Sequence, residues 1–117
     1  MISHVVMFRQ RMDVFKEERD ALLQAFEVAV RDIPTIRGVR AGKRVRIGAG
    51  YERDGVESPD FIIAIDFEDV SGLQLYLQHP AHVELAARFS QACAVTNVYD
   101  FSATDDASSI RALFDAQ

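Results

Sequence analysis

The sequence predicts an α+β fold with the split βαβ order of the ferredoxin-like fold, and three observations support this prediction. Short apolar segments and longer segments of helical spacing follow one another in the order β-α-β-β-α-α-β. Pro80 interrupts the second helical region, so its two helices count as one crossover. Two strands are apolar on both faces, which predicts that helices cover one face of a four-stranded antiparallel sheet and a second copy covers the other. We therefore expect a dimeric α/β barrel.

The first half of the chain supplies three strands and one helix. The β-branched run from Ile2 to Phe8 predicts a strand, and apolar residues at helical spacing predict a helix from Phe15 to Ile33. Alternating apolar and polar residues predict a half-exposed strand from Val39 to Ile47. The glycine-rich segment 48–60 is typical of a loop, and the apolar run from Phe61 to Phe67 predicts a central strand.

Two short helices and a last strand follow. Ser71 with Gln74 resembles a capping box, which would open the first helix. Pro80 suits the first position of the second helix, because its missing N–H would have no partner there. That helix is expected to end near Cys93, and Val95 to Phe101 predicts the final strand.

The chain divides into one domain, residues 1–101, and a C-terminal extension, residues 102–117. The extension predicts a short amphipathic helix, with an apolar stripe formed by Ile110, Leu113 and Phe114 and a cap at Asp105 or Asp106. A helix this short is marginal alone in water, so we expect it to dock on the body or on a partner chain.

Composition excludes several classes of protein. The chain has 117 residues, of which 49% are hydrophobic and 26% charged, with a formal net charge of -5. An acidic chain is a poor nonspecific ligand for nucleic acid or for an anionic membrane surface. No segment approaches the length of a membrane span, and a single cysteine, Cys93, excludes an internal disulfide. We therefore expect a cytoplasmic protein without nucleic-acid or membrane partners.

Three segments resemble the stress-responsive dimeric α/β-barrel (Dabb) family: ISHVVMFR at the start, IPTIRGVRAGK after the first helix and YLQHPAHV before the last strand. The resemblance covers roughly residues 1 to 101. It implies a ferredoxin-like protomer and a homodimeric barrel, but it does not imply one activity. Some plant members are associated with stress tolerance. One plant member is a cyclase that closes a ring in a linear poly-β-ketone by aldol chemistry, without a redox cofactor.

The resemblance assigns the working residues of that cyclase to His4, Tyr76 and His82, and it would place a further pocket histidine of the cyclase at Phe61. A neutral His82 in the first turn of its helix, where the helix dipole disfavours protonation, would take a proton from carbon beside a carbonyl. Tyr76 would donate a hydrogen bond to the developing enolate, and His4 would orient the partner or relay the proton. This chemistry needs no cofactor, and we expect none.

The same pocket is expected to bind a small hydrophobic or polyketide-like molecule. Its predicted lining comprises Val6, Phe8, Phe61, Ile63, His79 and Phe89. Two further functions stay open. The first is a structural or stress protein without small-molecule chemistry, and the second is a cofactor-free monooxygenase, which rests on fold analogy alone.

Other patterns are weaker. His79 and His82 stand three residues apart with Glu84 nearby, but zinc needs a third firm ligand, so we expect no metal site. Only three residues separate the glycines of GVRAGKR, one too few for a phosphate loop. Arg40, Arg44 and Arg46 are interpreted as a solvated strand face that could also meet an acidic group. Cys93 is interpreted as a buried small hydrophobe.

Overall fold

The structure is a computed structural model that describes residues 1–53, 55 and 58–115. The described residues form β1 (Ile2–Gln10), α1 (Lys16–Asp32), β2 (Gly38–Lys43), β3 (Phe61–Phe67), α2 (Val70–Gln78), α3 (Pro80–Ala92), β4 (Cys93–Ser102) and α4 (Ile110–Asp115), and a single 3-10 turn, Ala107–Ser109, precedes α4. This order confirms the predicted α+β class and the split βαβ arrangement.

The four strands form one antiparallel sheet in the order β2-β3-β1-β4. The two most apolar strands, β1 and β3, are therefore central, and β2 and β4 form the edges. Helices α1, α2 and α3 pack on one face, where their apolar side chains meet those of the sheet. The buried core comprises Leu22, Ala25, Ala29, Ile33, Ile65, Phe67, Leu73, Tyr76, Leu85, Ala92 and Cys93.

A shift of register brings an extra side chain of β4 onto the helix-covered face. Val6 pairs with Val98, but the register shifts after Met7 so that Phe8 pairs with Val95. Val95 and Val98 are three residues apart, and strict alternation would place them on opposite faces. Because of the shift, both valines lie on the face that β1 shares with the helices.

The opposite face of the sheet remains apolar and open in the protomer. Ile62 of β3 and the aromatic residues Tyr99 and Phe101 of β4 are exposed there. Val5 and Met7 of β1 lie between them and are only partly buried. The face therefore has the composition of an interface rather than of a solvated surface.

The predicted strand from Val39 to Ile47 is wrong in its second half, because β2 ends at Lys43. Lys43 pairs with Phe61, the first residue of β3, so the neighbouring strand offers no partner beyond that pair. Arg44 donates one further backbone hydrogen bond to Asp60 (2.7 Å), and the chain then leaves the sheet. The alternation of apolar and polar residues continues to Ile47, but β3 is too short to pair with residues beyond Lys43.

The predicted capping box at Ser71 and Gln74 is also wrong. Asp69 is the N-cap of α2, and its carboxylate accepts a hydrogen bond from the N–H of Gly72 at 2.9 Å. The prediction for the next helix is confirmed, since Pro80 is the first residue of α3.

The C-terminal helix is present but contacts little. Asp106 caps the 3-10 turn, as one of the two predicted caps, and no residue of α4 is buried. Among the described residues, no helix is both long and apolar enough to cross a membrane.

Candidate functional site

A cavity of about 330 Å³ lies between the sheet and the helices. Its wall is almost wholly apolar, with only a few polar side chains. The lining comprises His4, Val6, Phe26, Ile63, Ile65, Tyr76, Leu77, His82, Leu85, Ala86, Phe89, Ser90, Val95 and Val98. The cavity therefore brings His4, Tyr76 and His82 together, although the three residues belong to three different elements.

The helix break at His79-Pro80 positions His82. The side chain of His79 caps α3, with Nδ1 accepting from the N–H of Ala81 at 3.0 Å. The Nδ1 atom of His82 lies 3.1 Å from the carbonyl oxygen of Leu77. A carbonyl only accepts, so Nδ1 carries the proton, and Nε2 of a neutral His82 keeps its lone pair.

The pKa of His82 is held below its ordinary value. Burial is the main cause, because a charged imidazole loses solvation there. The hydrogen bond to Leu77 opposes the shift, and the charge of a protonated His4 adds to it. The direction agrees with the predicted neutral imidazole, but the main cause is burial rather than the helix dipole.

Tyr76 lies between the two histidines. Its ring centroid is 4.6 Å from that of His82 and 5.7 Å from that of His4, and the residue is only 3% exposed. Burial raises the pKa of Tyr76 to about 12, so its hydroxyl keeps its proton at neutral pH. Within the part of the chain that the structure describes, no residue hydrogen-bonds this hydroxyl, which leaves it available as a donor to a ligand.

Asp100 of β4 is a site residue that sequence analysis missed. It pairs with His4 across the sheet, and its Oδ1 lies 2.6 Å from Nδ1 of His4. A carboxylate accepts, so the hydrogen bond fixes the proton of His4 on Nδ1. His4 itself is 6% exposed, and the pair thus anchors a buried polar side chain in an apolar wall. An acidic residue inside the apolar run VTNVYDF was the only signal in the sequence.

A second cavity, of about 270 Å³, adjoins the first on the side away from the histidines. Phe26, Ile63 and Phe89 line both cavities. Phe8 and Phe61 line only the second, where the Phe8 ring lies 5.4 Å from Phe61 and 4.7 Å from Phe89. The site therefore has a polar end and an aromatic, apolar end.

The structure thus distributes the predicted lining over both cavities. Val6, Ile63 and Phe89 line the cavity of the histidines, whereas Phe8 and Phe61 line the apolar one. His79 lines neither cavity, because its ring is turned to the backbone that it caps.

No group of three histidine, cysteine, aspartate or glutamate side chains lies close enough to hold a metal ion among the residues described. Cys93 is buried and lines the apolar cavity, and burial raises the pKa of its thiol. This environment agrees with the interpretation of Cys93 as a small hydrophobe rather than a nucleophile.

Comparison with known proteins places this architecture among related chains. The model of the Stress responsive A/B Barrel Domain (Dabb) matches residues 2–103. Olivetolic acid cyclase of Cannabis sativa is 24% identical over 82 residues, which cover 70% of this chain and 76% of that protein.

Solved structures of other proteins have a similar fold. A crystal structure of an Arabidopsis thaliana protein has a TM-score of 0.71 at 25% identity and covers 92% of this chain and 99% of its own. A dimeric protein of unknown function with a ferredoxin-like fold, from Bacteroides fragilis, has a TM-score of 0.59 at 20% identity, with 87% and 95% coverage.

Proposed function

Because this chain belongs to the stress-responsive A/B barrel domain (Dabb) family, we propose that it acts as a homodimeric barrel whose protomers each bind a small hydrophobic or polyketide-like molecule. The apolar outer face of the sheet and the dimeric structural relative support the dimer. The convergence of His4, Tyr76 and His82 on one apolar cavity is the observation that supports ligand binding. A lone, buried cysteine is compatible with the reducing cytoplasm, where we place the protein.

The two ends of the site define the kind of ligand. At the polar end, the hydroxyl of Tyr76 would donate to a carbonyl oxygen, because its raised pKa keeps the proton in place. At the other end, Phe8, Phe61 and Phe89 offer only ring surface. A ligand with a keto group at one end and a hydrocarbon or aryl group at the other matches both environments.

A second candidate function is ring closure of such a ligand, and the tautomer of His82 favours it. With Nδ1 turned to Leu77, the free Nε2 of His82 is the atom that would remove a proton from carbon beside a carbonyl. The electron pair of that C–H bond becomes an enolate, whose oxygen accepts from Tyr76.

The enolate carbon then forms a C–C bond to a second carbonyl of the same molecule, and the proton on His82 passes to the new alkoxide. No electron acceptor or donor is needed. The similarity to an olivetolic acid cyclase supports this candidate.

Asp100 gives His4 a defined role in both candidates. The hydrogen bond from Nδ1 holds the His4 ring beside Tyr76 and leaves its Nε2 as an acceptor when the ring is neutral. His4 would therefore orient the ligand or relay a proton, while Asp100 acts as a positioning residue.

A thermal-shift screen of wild type beside Tyr76→Phe and His82→Gln tests the proposal. The compounds would be linear β-polyketones, aromatic acids and fatty acids, and any hit would be incubated with the protein and analysed for a cyclised product. A ligand at about 100 times its Kd stabilises the protein by about 2.7 kcal/mol. We expect a shift of several degrees for a β-polyketone and a clearly smaller shift in both variants.

The exposed substitution Val83→Ala, on α3 outside both cavities, is the matched control and should keep the full shift. If no compound stabilises folded wild type, or if the shift is equal in all four proteins, the ligand site is refuted. Binding without any cyclised product would contradict only the second candidate.

A further inference from the structure

The C-terminal helix α4 has an apolar face that none of the other described elements buries. Ile110, Leu113 and Phe114 share one face, and Phe114 is 81% exposed. A helix of six residues is not stable alone in water, because nucleation costs more than so few hydrogen bonds return. Its stability therefore requires a surface that lies outside the described protomer.

One packing of two sheets brings such a surface to the tail. The tail, residues 103–115, follows directly on β4, and Ala103 starts it with a hydrogen bond to the carbonyl of Met1 at 2.8 Å. β4 and β2 are opposite edges of the sheet, three strand spacings or about 14 Å apart. When two identical sheets pack face to face about a two-fold axis parallel to their strands, β4 of one protomer lies beside β2 of its partner. The tail is then delivered to the partner's β2 edge and not to its own.

The β2 edge carries a concentration of positive charge. We call β2 and the residues directly flanking it the basic edge, and its cations are Arg37, Arg40, Lys43, Arg44 and Arg46. Within the protomer, Arg37 lies 3.6 Å from Glu68 and Arg46 lies 3.9 Å from Asp60. Two apolar side chains beside it are strongly exposed, with Val45 at 75% and Ile47 at 72%. Both side chains alternate with cations along the chain and offer apolar surface to a partner.

The tail is complementary in both respects. It contains Asp105, Asp106 and Asp115 against a single cation, Arg111, in a chain whose net charge is -5. Its apolar stripe offers an aromatic ring and two aliphatic side chains to Val45 and Ile47. Acidic flanks beside an apolar face match basic flanks beside an apolar patch.

We propose that α4 of one protomer packs on the basic edge of a second copy of this chain, as a reciprocal arm that locks the dimer. The inference rests on the proposed homodimer and adds to it a second contact, separate from the packing of the two sheets. The family model ends at residue 103, so this contact would be a property of this chain.

Sedimentation velocity over a dilution series tests the arm. The proteins would be wild type, a truncation after Ala103, and the double variant Leu113→Ser/Phe114→Ser, with Ala112→Ser on the opposite face of α4 as the matched control. Losing the burial of two large apolar side chains should weaken the dimer at least about tenfold. The control should dimerise with the affinity of wild type. At concentrations at which all four proteins are monomers, they should have the same melting temperature.

A crosslinking experiment locates the contact. Protein with Val45→Cys is mixed with a larger, tagged protein with Phe114→Cys, and a disulfide joining the two sizes on a non-reducing gel arises only between protomers. Val83→Cys replaces Val45→Cys in the control mixture. We expect the mixed species only with Val45→Cys.

The outcomes separate the two proposals. A monomeric wild type would overturn the homodimer and the arm together. A dimer that keeps its affinity after truncation, or that gives no mixed disulfide, would overturn the arm and leave the homodimer in place.

Discussion

The candidate site combines three ring side chains, and burial shifts the pKa of two of them, Tyr76 and His82. His4, Tyr76 and His82 were identified from their positions in ISHVVMF and YLQHPAHV, and the structure brings them to one cavity. Asp100 could not be predicted, because its pairing with His4 depends on the register of β4, which shifts within the strand. The ring of His79 caps α3 instead of lining the cavity, and the spacing of residues in the sequence cannot distinguish these two orientations.

The lowered pKa of His82 makes a prediction about stability and pH. The unfolded chain takes up a proton near the ordinary pKa of 6.5, whereas the folded chain does so only at lower pH. The unfolded state then binds more protons, so the free energy of unfolding falls as pH decreases through and below that value. We expect the urea midpoint of wild type to fall more steeply between pH 7 and pH 5.5 than that of His82→Gln.

His82→Gln is the useful comparison because the carboxylates and the other histidines titrate in both proteins. Parallel pH profiles for the two proteins would show that His82 is protonated equally well in the folded and unfolded states. That result would also remove the support for a neutral base in the site.

At the scale of elements, the sequence predicted the strands and α-helices that the structure describes but misjudged where some of them begin or end. The apolar run of β3 gave its bounds, Phe61–Phe67, correctly because β1 pairs along its whole length and β2 pairs along all but its last residue. The predicted strand from Val39 to Ile47 was too long. Alternating polarity shows which side chains can face solvent, but the length of a strand also depends on a neighbouring strand that pairs with it. Ser71 resembled a cap, but the backbone turns into α2 two residues earlier, at Asp69.

Asp69→Ala tests that assignment. The carboxylate of Asp69 satisfies the N–H of Gly72 at the start of α2, so its removal should lower the free energy of unfolding by about 1 kcal/mol. Ser71→Ala serves as the comparison and should change it by less than about 0.5 kcal/mol. Urea denaturation measures both. An equal loss in the two variants, or a larger loss in Ser71→Ala, would restore the capping box.

At the scale of the molecule, the sheet is apolar on both faces, but the helices of one protomer cover only one of them. The sequence predicted this from β1 and β3 alone, because apolar residues at successive positions cannot all face the same helices. The mutual orientation of two protomers has no such signature, since any flat apolar face of this size permits several arrangements.

Ile62→Glu tests whether the outer face is buried between protomers. Ile62 lies on a central strand of that face and is exposed in the protomer, so a glutamate there costs little unless a second sheet covers it. An unpaired buried charge costs several kcal/mol, which predicts at least about 100-fold weaker dimerisation. Val83→Glu on α3 adds the same charge elsewhere and should leave the dimer intact. Sedimentation velocity of the two variants at equal protein concentration measures the difference. If Ile62→Glu dimerises with the same affinity as Val83→Glu, the interface lies on another surface.

The buried thiol of Cys93 has a practical consequence. It is the chain's one cysteine, and it forms part of the wall of the apolar cavity. A thiol reagent reaches Cys93 only when the cavity wall opens locally. The rate of alkylation therefore reports how often the wall opens, as the rate of amide hydrogen exchange reports the opening of backbone hydrogen bonds. A molecule that fills the cavity must slow that rate, and a molecule bound elsewhere need not. The rate of Cys93 alkylation, measured by mass spectrometry, therefore reports whether a ligand occupies the cavity. The measurement needs neither a dye nor an assay for any reaction.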